Sequence, residues 1–196
     1  MTTNTGPHFI VFEGLDGSGK STSAKLLAKK LDAVFITTPS VGMRSYRDQI
    51  ITDLGLSQEA RQLFYLATVF AASAKVNDLL AAGRSVVLDR YFLSTQAYAE
   101  FRGSTLGLDE IASRLLPADI TVYLDVPLRV RRERLSIRTT TAADAETLSE
   151  SADASLSEKH AARFRLPVAG RVLRISDESL TPEQVVERVS ALISGL

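Results

Sequence analysis

Five short apolar runs divide the chain, and between most of them apolar residues recur every three or four positions. The runs are rich in Val, Ile, Phe and Leu. They cover Phe9–Glu13, Val34–Thr37, Ser85–Asp89, Ile120–Asp125 and Arg171–Ile175. Continuous apolar runs of this length are typical of strands that are covered on both faces. The pattern therefore predicts five strands of a buried sheet.

The intervening spacing predicts helices. Ala24, Leu27, Ala28 and Leu31 recur at i, i+3, i+4 and i+7, as on one helix face. Near the end, Thr181–Gln184 has the spacing of a capping box with Pro at the first helical position. The expected apolar face of that last helix is Val185, Val189 and Leu192.

A longer helix is predicted between Ser57, as its cap, and Gly83, as its stop. Its apolar residues are Leu63, Ala67, Phe70 and Ala74. Strands that alternate with helices imply an α/β fold, a five-stranded parallel sheet with helices on both faces. No repeat or linker splits the chain, so residues 1–196 are expected to form one domain.

The composition excludes several classes of protein. Lys and Arg together number 23, as do Asp and Glu, so the formal net charge is zero. This balance argues against broad binding to nucleic acid or to an acidic membrane surface. Cysteine is absent, which excludes disulfides and cysteine metal sites. Without a signal core or an apolar run near the length of a membrane span, we expect a soluble cytoplasmic protein with residues 1–7 as a loose tail.

The first strand runs into GLDGSGKS, which fits the phosphate-loop template G-x-x-x-x-G-K-[ST] and opens a helix. Backbone N–H groups and the helix N-terminus would cradle phosphates, Lys20 would reach the terminal phosphates, and Ser21 would ligate Mg²⁺. This predicts a P-loop NTPase fold that binds the phosphates of a nucleotide. The predicted nucleotide-binding residues are Gly14, Leu15, Asp16, Gly17, Ser18, Gly19, Lys20, Ser21 and Thr22. The loop alone leaves open hydrolysis, switching and phosphate transfer.

A second candidate group is Asp89 and Arg90, at the carboxyl end of the third strand, where ligands bind in open α/β sheets. A carboxylate there can orient Mg²⁺ and its waters, and a guanidinium can grip a phosphate. The alternative is that Asp89 and Arg90 form an ordinary surface ion pair without a functional role. The phosphate loop on the same sheet favours the functional interpretation. Asp16 is either a solvated turn carboxylate or a substrate contact.

The third group is basic. In LRVRRERLSIR, residues 128–138, a helix would align Arg131, Arg134 and Arg138 on one face. The alternatives are a solvated basic helix and a lid that neutralises charge over the phosphates. A stretch poor in large apolar residues follows, at 138–158. We therefore predict a mobile lid over about 128–158.

Together these segments resemble the thymidylate kinase family of nucleoside monophosphate kinases. The matching segments are FEGLDGSGKST, DRYFLSTQAYAEFRG, YLDV with the Arg-rich run after it, QLFYLATVF and VLRISDES. The resemblance spans nearly the whole chain. It implies an enzyme that moves the γ-phosphate of ATP, with Mg²⁺, to a (deoxy)nucleoside monophosphate, with dTMP as the default. It also implies pairing of two copies through the long helix.

The resemblance assigns residue roles. Asp89 would hold metal-linked water, and Arg90 the phosphate that is attacked. Asp16 would contact the sugar hydroxyl of the acceptor or help to orient the acceptor site, and Tyr98 would lie near the acceptor sugar. Phe64 would stack on the base. Because the phosphate loop contains no Arg, the lid residues Arg134 and Arg138 would supply the catalytic guanidinium groups.

The chain departs from the family pattern at three places. Thr68 replaces the Arg of the base-binding motif L-L-F-x-A-x-R, TTPSVG replaces T-R-E-P-G-G, and Ala99 stands where Gln is usual. Arg44 or Arg47 could compensate. The acceptor is therefore dTMP bound differently, another or modified deoxynucleotide, or another small phosphate acceptor. A non-catalytic nucleotide-binding regulator is a further alternative. His8 and His160 are expected to be solvated.

Overall fold

The computed structural model describes residues 6–137 and 146–193, and in them five strands form one parallel sheet. Their order across the sheet is β2-β3-β1-β4-β5. The strands are β1 Phe9–Gly14, β2 Val34–Thr37, β3 Val86–Asp89, β4 Ile120–Leu124 and β5 Arg171–Ile175. All five predicted strands are confirmed, and no strand end moves by more than one residue.

Helices cover both faces of the sheet. They are α1 Lys20–Lys30, α2 Val41–Asp53, α3 Gln58–Ala81, α4 Phe92–Phe101, α5 Leu128–Ser136, α6 Glu150–Ala161 and α7 Pro182–Ile193, with 3₁₀ turns at Asp109–Arg114 and Pro167–Ala169. One core lies between the sheet, α3 and α4, and the other between the sheet, α1 and α7. Successive residues of β1, such as Phe9 and Ile10, enter opposite cores.

The predicted faces of α1 and α7 are confirmed. Ala24, Leu27 and Ala28 are buried against α7. The capping box forms as predicted, because the Thr181 amide donates to Gln184 Oε1 at 2.8 Å and the Gln184 amide to Thr181 Oγ1 at 3.3 Å. Burial of one face of each helix against the sheet explains why periodicity alone located them.

Helix α3 is capped as predicted, but the face that it buries is not the one that was predicted. The Ala60 amide donates to Ser57 Oγ at 3.1 Å, and Gly83 follows the last turn with a φ of 73°. The expected apolar stripe is exposed: Leu63, Ala67, Phe70 and Ala74. The buried stripe is Leu66, Val69, Ala72 and Val76. Both stripes are apolar, so hydrophobic spacing could not choose between them.

Among the described residues, α3 is also the single helix whose length and apolar composition would let it cross a membrane. That criterion is weak evidence, since core helices meet it as well. Here polar side chains lie on the buried side of α3 and bond to the rest of the domain. Ser73 Oγ accepts from the Leu116 amide at 2.9 Å, and Gln62 Nε2 donates to Gln96 Oε1 at 2.6 Å.

His160 was expected to be solvated, and this is wrong. It lies on α6 and is fully buried, with its ring against the rings of Tyr98 and Tyr123. Its Nδ1 bonds the Leu156 carbonyl at 2.8 Å. Burial lowers the pKa of His160 to about 4, so this side chain is neutral near pH 7. Its place is structural, beneath the site described next.

Candidate active site

The loop between β1 and α1 has the shape that phosphate binding requires. Gly14 and Gly17 have φ angles of 139° and 82°, and a Cβ on them would come within 2.7 Å of the Leu124 carbonyl oxygen and 2.9 Å of the Arg131 carbonyl oxygen. Only glycine fits both positions. The N-terminus of α1 has no side-chain cap and no acidic residue in its first turn. Its N–H groups are therefore available to an anion.

Asp16 joins this loop to the second predicted group. One carboxylate oxygen forms an ion pair with Arg90 Nη2 and lies 3.4 Å from Lys20 Nζ. The other oxygen accepts from the Tyr98 hydroxyl at 3.0 Å. Burial alone would raise the pKa of Asp16, but Arg90 and Lys20 outweigh it and hold the pKa well below its usual range. The structure thus gathers three other predicted site residues around the ionised carboxylate of Asp16.

Lys20 is buried and points back across the loop. Its ammonium donates to the Leu15 carbonyl at 3.3 Å as well as to Asp16. Burial and the nearby Arg90 charge lower the pKa of Lys20 to about 8. The carboxylates around Arg90, with Asp16 first, outweigh burial and raise the pKa of Arg90 above its ordinary value. At neutral pH both cations are charged, and a phosphate would meet two positive groups.

A buried carboxylate that sequence reasoning missed holds Arg90 in place. Glu13 Oε1 accepts from the backbone amides of Tyr91 and Ser94 at 3.0 and 3.2 Å, and Ser94 Oγ donates to Oε2. Arg90 Nη1 bonds Ser94 Oγ at 3.0 Å, while its backbone adopts a φ of 69°. Burial raises the pKa of Glu13. Its signal in the sequence was a lone acid at the end of a fully apolar strand.

Further backbone contacts fix the strained Arg90. Its amide donates to the Phe12 carbonyl at 3.0 Å, and its carbonyl accepts from Thr38 Oγ1 at 2.6 Å. A non-glycine residue in the left-handed region persists only when its surroundings over-determine it. Arg90 is therefore held between Phe12 of β1 and Thr38, the residue that follows β2.

The structure offers oxygen atoms without hydrogen-bond partners near the residues predicted to hold Mg²⁺. Asp89 ends β3 with its Oδ1 buried and without a hydrogen-bond partner, and Ser18 Oγ is likewise unpartnered. Ser21 lies exposed in the first turn of α1. A hydroxyl and one free carboxylate oxygen suit a magnesium ion that keeps most of its waters. Within residues 6–137 and 146–193, no group of three or more His, Cys, Asp or Glu could hold a metal by itself.

Helix α5 is docked on the phosphate loop, and its Arg residues separate into two kinds. Arg131 is fully buried, where it pairs with Asp153 and donates to the Asp16 carbonyl at 3.1 Å. It is therefore a packing residue rather than part of a charged solvent face. Arg134 Nη1 donates to the Ser18 carbonyl at 3.0 Å, above the loop. Arg138, the other predicted lid residue, lies outside the described residues.

Two cavities border the phosphate loop at different residues. The donor cavity, of about 210 Å³, is lined by Ser18, Gly19, Thr22 and Arg134, and by the segment before α7. The acceptor cavity, of about 670 Å³, lies between α2, α3 and α4 and ends at Asp16 and Arg90. Tyr98 and Thr68 line it as predicted. The two cavities share no lining residue, so they can hold two different molecules.

Phe64, which was expected to stack on a base, does not line this cavity; its neighbour Tyr65 does. One helical position turns a side chain by about 100°. Aligned one residue later, the motif L-L-F-x-A-x-R places Tyr65 at its aromatic, Ala67 at its Ala and the buried Val69 at its Arg. In either alignment the Arg is missing.

The departures from the family pattern converge on the acceptor cavity. Thr68, Ala99 and two residues of the TTPSVG segment, Thr38 and Pro39, all line it. The donor cavity is bordered by the intact phosphate-loop template. The change is therefore confined to one side of the site.

Comparison with known proteins agrees with this geometry. The family model described as thymidylate kinase matches residues 12–188. A thymidylate kinase from Thermomicrobium roseum is 32% identical over 204 aligned positions, which cover 95% of this chain and 94% of that protein. A probable thymidylate kinase from Pyrococcus horikoshii is 33% identical over 147, covering 68% and 72%.

The chain belongs to the thymidylate kinase family. It is accordingly a nucleoside monophosphate kinase, a phosphotransferase that uses ATP. Two solved structures share its fold. The thymidylate kinase of Candida albicans superposes with a TM-score of 0.73 at 23% identity, over 96% of this chain and 92% of that one. That of Ehrlichia chaffeensis gives 0.68 at 24% identity, over 96% and 98%.

Proposed function

We propose that this kinase transfers the γ-phosphate of ATP directly to the phosphate of a deoxynucleoside monophosphate, with dTMP as the default acceptor. A phosphate oxygen of the acceptor attacks the γ-phosphorus in line. The bond from that phosphorus to the β–γ bridging oxygen breaks, and ADP leaves with both electrons of the bond. The products are ADP and a nucleoside diphosphate, without a covalent enzyme intermediate.

The observation that carries the proposal is the charge of the acceptor cavity. Five Arg residues and three carboxylates line it. Arg90 pairs with Asp16, Arg47 with Asp48 and Arg102 with Glu146. Among the described residues, Arg44 and Arg61 have no carboxylate partner. Two surplus positive charges complement a phosphate monoester, which carries about −1.5 to −2 at pH 7.

The position of each group supports a role in this transfer. Lys20 would bridge the terminal phosphates of ATP. Arg90 lines the acceptor cavity, so it would hold the attacking phosphate of the acceptor and not, as the resemblance implied, the phosphate that is attacked. Asp16 and Tyr98 would lie between these two cations and the acceptor sugar. Arg134, bonded to the loop above the donor cavity, would neutralise charge on the transferred group. Arg138 would join it from the lid.

Mg²⁺ would be held by Ser21 and, through water, by Asp89. When bound, it would neutralise charge on the phosphate oxygens and help to orient them. The chain's own groups do the remaining work, which is to position two phosphates and to exclude water.

An acceptor panel tests the proposal. ADP formation would be followed with ATP and Mg²⁺ against dTMP, dUMP, dCMP, dAMP, dGMP, base-modified deoxynucleotides, ribonucleotides and unphosphorylated nucleosides. We expect turnover with monophosphates and none with nucleosides. Turnover of nucleosides alone would contradict the phosphate-binding role of the cavity. ATP binding without any turnover would favour the regulatory alternative.

We further propose a homodimer, paired through the exposed stripe of α3: Leu63, Ala67, Phe70 and Ala74. Leu63 and Phe70 are 51% and 37% exposed, so this stripe presents large apolar side chains to solvent. Phe70→Glu should yield monomers in sedimentation velocity, whereas Leu56→Glu, at an exposed apolar residue off the stripe, should not. A monomeric parent protein would contradict the pairing. We also propose a cytoplasmic location for this kinase.

A further inference from the structure

Arg61, at the start of α3, is the cation of the acceptor cavity with the least used hydrogen-bonding capacity. Its Nε is buried and has no partner. Its Nη2 reaches only the Ile51 carbonyl, at the limiting distance of 3.5 Å. A buried guanidinium N–H without an acceptor is costly in the free protein. It is satisfied if a bound molecule brings an acceptor to it.

Arg61 shares one face of α3 with two other side chains of the cavity, Tyr65 and Thr68. The three stand at i, i+4 and i+7, a spacing that aligns side chains along a helix. The Thr68 hydroxyl donates its proton to the Tyr65 carbonyl at 2.7 Å. Thr68 Oγ therefore offers the cavity lone pairs alone, whereas Arg61 offers N–H groups alone.

Arg44 is placed for a different task. Its Nε donates to the Pro39 carbonyl at 3.2 Å, and the preceding residue, Thr38, bonds the carbonyl of Arg90. Arg44 is thus tied to the strand ends where the attacking phosphate would sit. Arg61 comes from the base-facing helix instead, one turn before Tyr65. The two surplus cations of the cavity therefore serve different parts of the acceptor.

We propose that Arg61 and Thr68 form the base-reading pair of this enzyme, with Arg61 donating to the exocyclic oxygen of a keto base and Thr68 accepting from the adjacent ring N–H. Tyr65 supplies the face on which the base lies. The acceptors selected in this way carry thymine, uracil or guanine. The inference rests on the proposed function, because it concerns the acceptor of the same transfer.

The order of donor and acceptor excludes the amino bases. Thymine, uracil and guanine present a carbonyl oxygen beside a ring N–H. Cytosine and adenine present an amino group beside a ring nitrogen that accepts. With an amino base, the Arg61 donors would face an N–H₂ group and the Thr68 lone pairs a ring lone pair. Two like groups would then be buried against each other, which a polar site rejects more strongly than a missing methyl group.

The test compares kcat/KM for five deoxynucleoside monophosphates in the wild type, Arg61→Gln, Arg61→Lys and Thr68→Val. The wild type should prefer dTMP, dUMP or dGMP over dCMP and dAMP. Arg61→Gln should lose about 10- to 100-fold on the preferred acceptor and little on the amino bases. Arg61→Lys should recover part of the loss, because an ammonium keeps the charge without the planar fork. Thr68→Val, which keeps the side-chain volume, should reduce the preference for keto bases over amino bases.

An analogue isolates the contact itself. Replacing the exocyclic oxygen by sulfur, as in 4-thio-dTMP or 6-thio-dGMP, weakens the acceptor that Arg61 would bond. The wild type should lose activity on the thio analogue, and Arg61→Gln should lose no more. Lys75→Gln, at an exposed cation of the same helix, is the matched control and should leave all acceptors unchanged. The KM for ATP should be unaltered in Arg61→Gln, and the unfolding temperature should not fall, because the variant removes a buried N–H group that has no acceptor.

Three results would overturn the inference while leaving the proposed function intact: a wild-type preference for dCMP or dAMP, an equal loss on all five acceptors in Arg61→Gln, or additive losses for Arg61→Gln and the thio analogue. The proposed function fails separately, and this inference with it, if the wild type phosphorylates no acceptor.

Discussion

The two sides of the site differ in how tightly they are built. On the donor side, the phosphate loop is pressed against β4 and α5 so closely that a single Cβ would not fit, and Arg131 beneath it is fully buried. On the acceptor side, α2 has no buried residue, and Arg44 and Arg61 stand without carboxylate partners within the described part of the chain.

This difference has a physical reason. Phosphate is bound by backbone N–H groups, so the loop's shape is the recognition element and little of it can change. A base is read by side chains on helices, which can be exchanged without altering the backbone. The family's donor machinery can therefore persist in this chain while its acceptor contacts differ.

The largest expected effect lies on the donor side. Lys20→Ala should lower turnover by about 1,000-fold or more, because a buried charge at the transferring phosphate is removed. Steady-state kinetics at saturating ATP would measure it, and circular dichroism would check that the fold is retained. Substantial turnover in this variant would refute the assignment of the phosphate loop.

The two Arg residues of α5 should separate catalysis from stability. Arg134→Ala should lower kcat by about 100-fold and leave the free energy of unfolding within about 0.5 kcal/mol. Arg131→Ala should lower the free energy of unfolding by about 3 kcal/mol, because it leaves the Asp153 and Asp16 contacts unpaired beneath the loop. Denaturant titrations would measure the free energy of unfolding of both variants, and single-turnover experiments would measure their rates of phosphate transfer. If Arg134→Ala lost stability and Arg131→Ala lost only activity, the assignment of Arg134 as the catalytic residue of the lid would be wrong.

Variants of Glu13 test whether the site for the acceptor phosphate depends on this buried carboxylate, which positions Arg90 through Ser94. Glu13→Gln replaces one acceptor oxygen by an N–H₂ group facing the Ser94 and Tyr91 donors, so we expect a loss of about 1–3 kcal/mol in unfolding free energy. The strained Arg90 should shift, which raises the acceptor KM more than the ATP KM. Ser94→Ala, which keeps the backbone bonds to Glu13, should show the KM effect with a smaller stability loss. Unchanged acceptor KM in both variants would contradict this positioning role.

The smallest expected effect is in the pH dependence. Because the folded-state pKa of Lys20 is lowered to about 8, its charge is lost in the free enzyme as pH rises through that value. The kcat/KM for ATP should therefore fall above about pH 8. Lys20→Arg stays charged over this range, so its kcat/KM for ATP should not fall above about pH 8, even if its activity is low. His160 remains neutral above about pH 4, so it should contribute no change in activity near pH 6.5. A change there belongs to the substrate phosphates, whose second pKa lies at about 6.

The sequence located the strands, the caps of α3 and α7, and the donor loop, because these depend on local spacing and backbone chemistry. It did not identify the buried face of α3, since Leu63 and Leu66 belong to two apolar stripes of equal merit. It placed the aromatic of the cavity at Phe64 instead of Tyr65 for the same reason. Glu13 was missed because its partners lie far along the chain, at the start of α4. Arg61 was missed because its place in the acceptor cavity depends on how α3 packs, which its own sequence does not show.

The most direct test of the account follows the label of [γ-³²P]ATP in the presence of Mg²⁺ and dTMP, dUMP or dGMP. The account predicts that the label appears in a nucleoside diphosphate and that omission of the acceptor leaves ATP intact. Release of the label as inorganic phosphate, at a rate that no monophosphate changes, would contradict it.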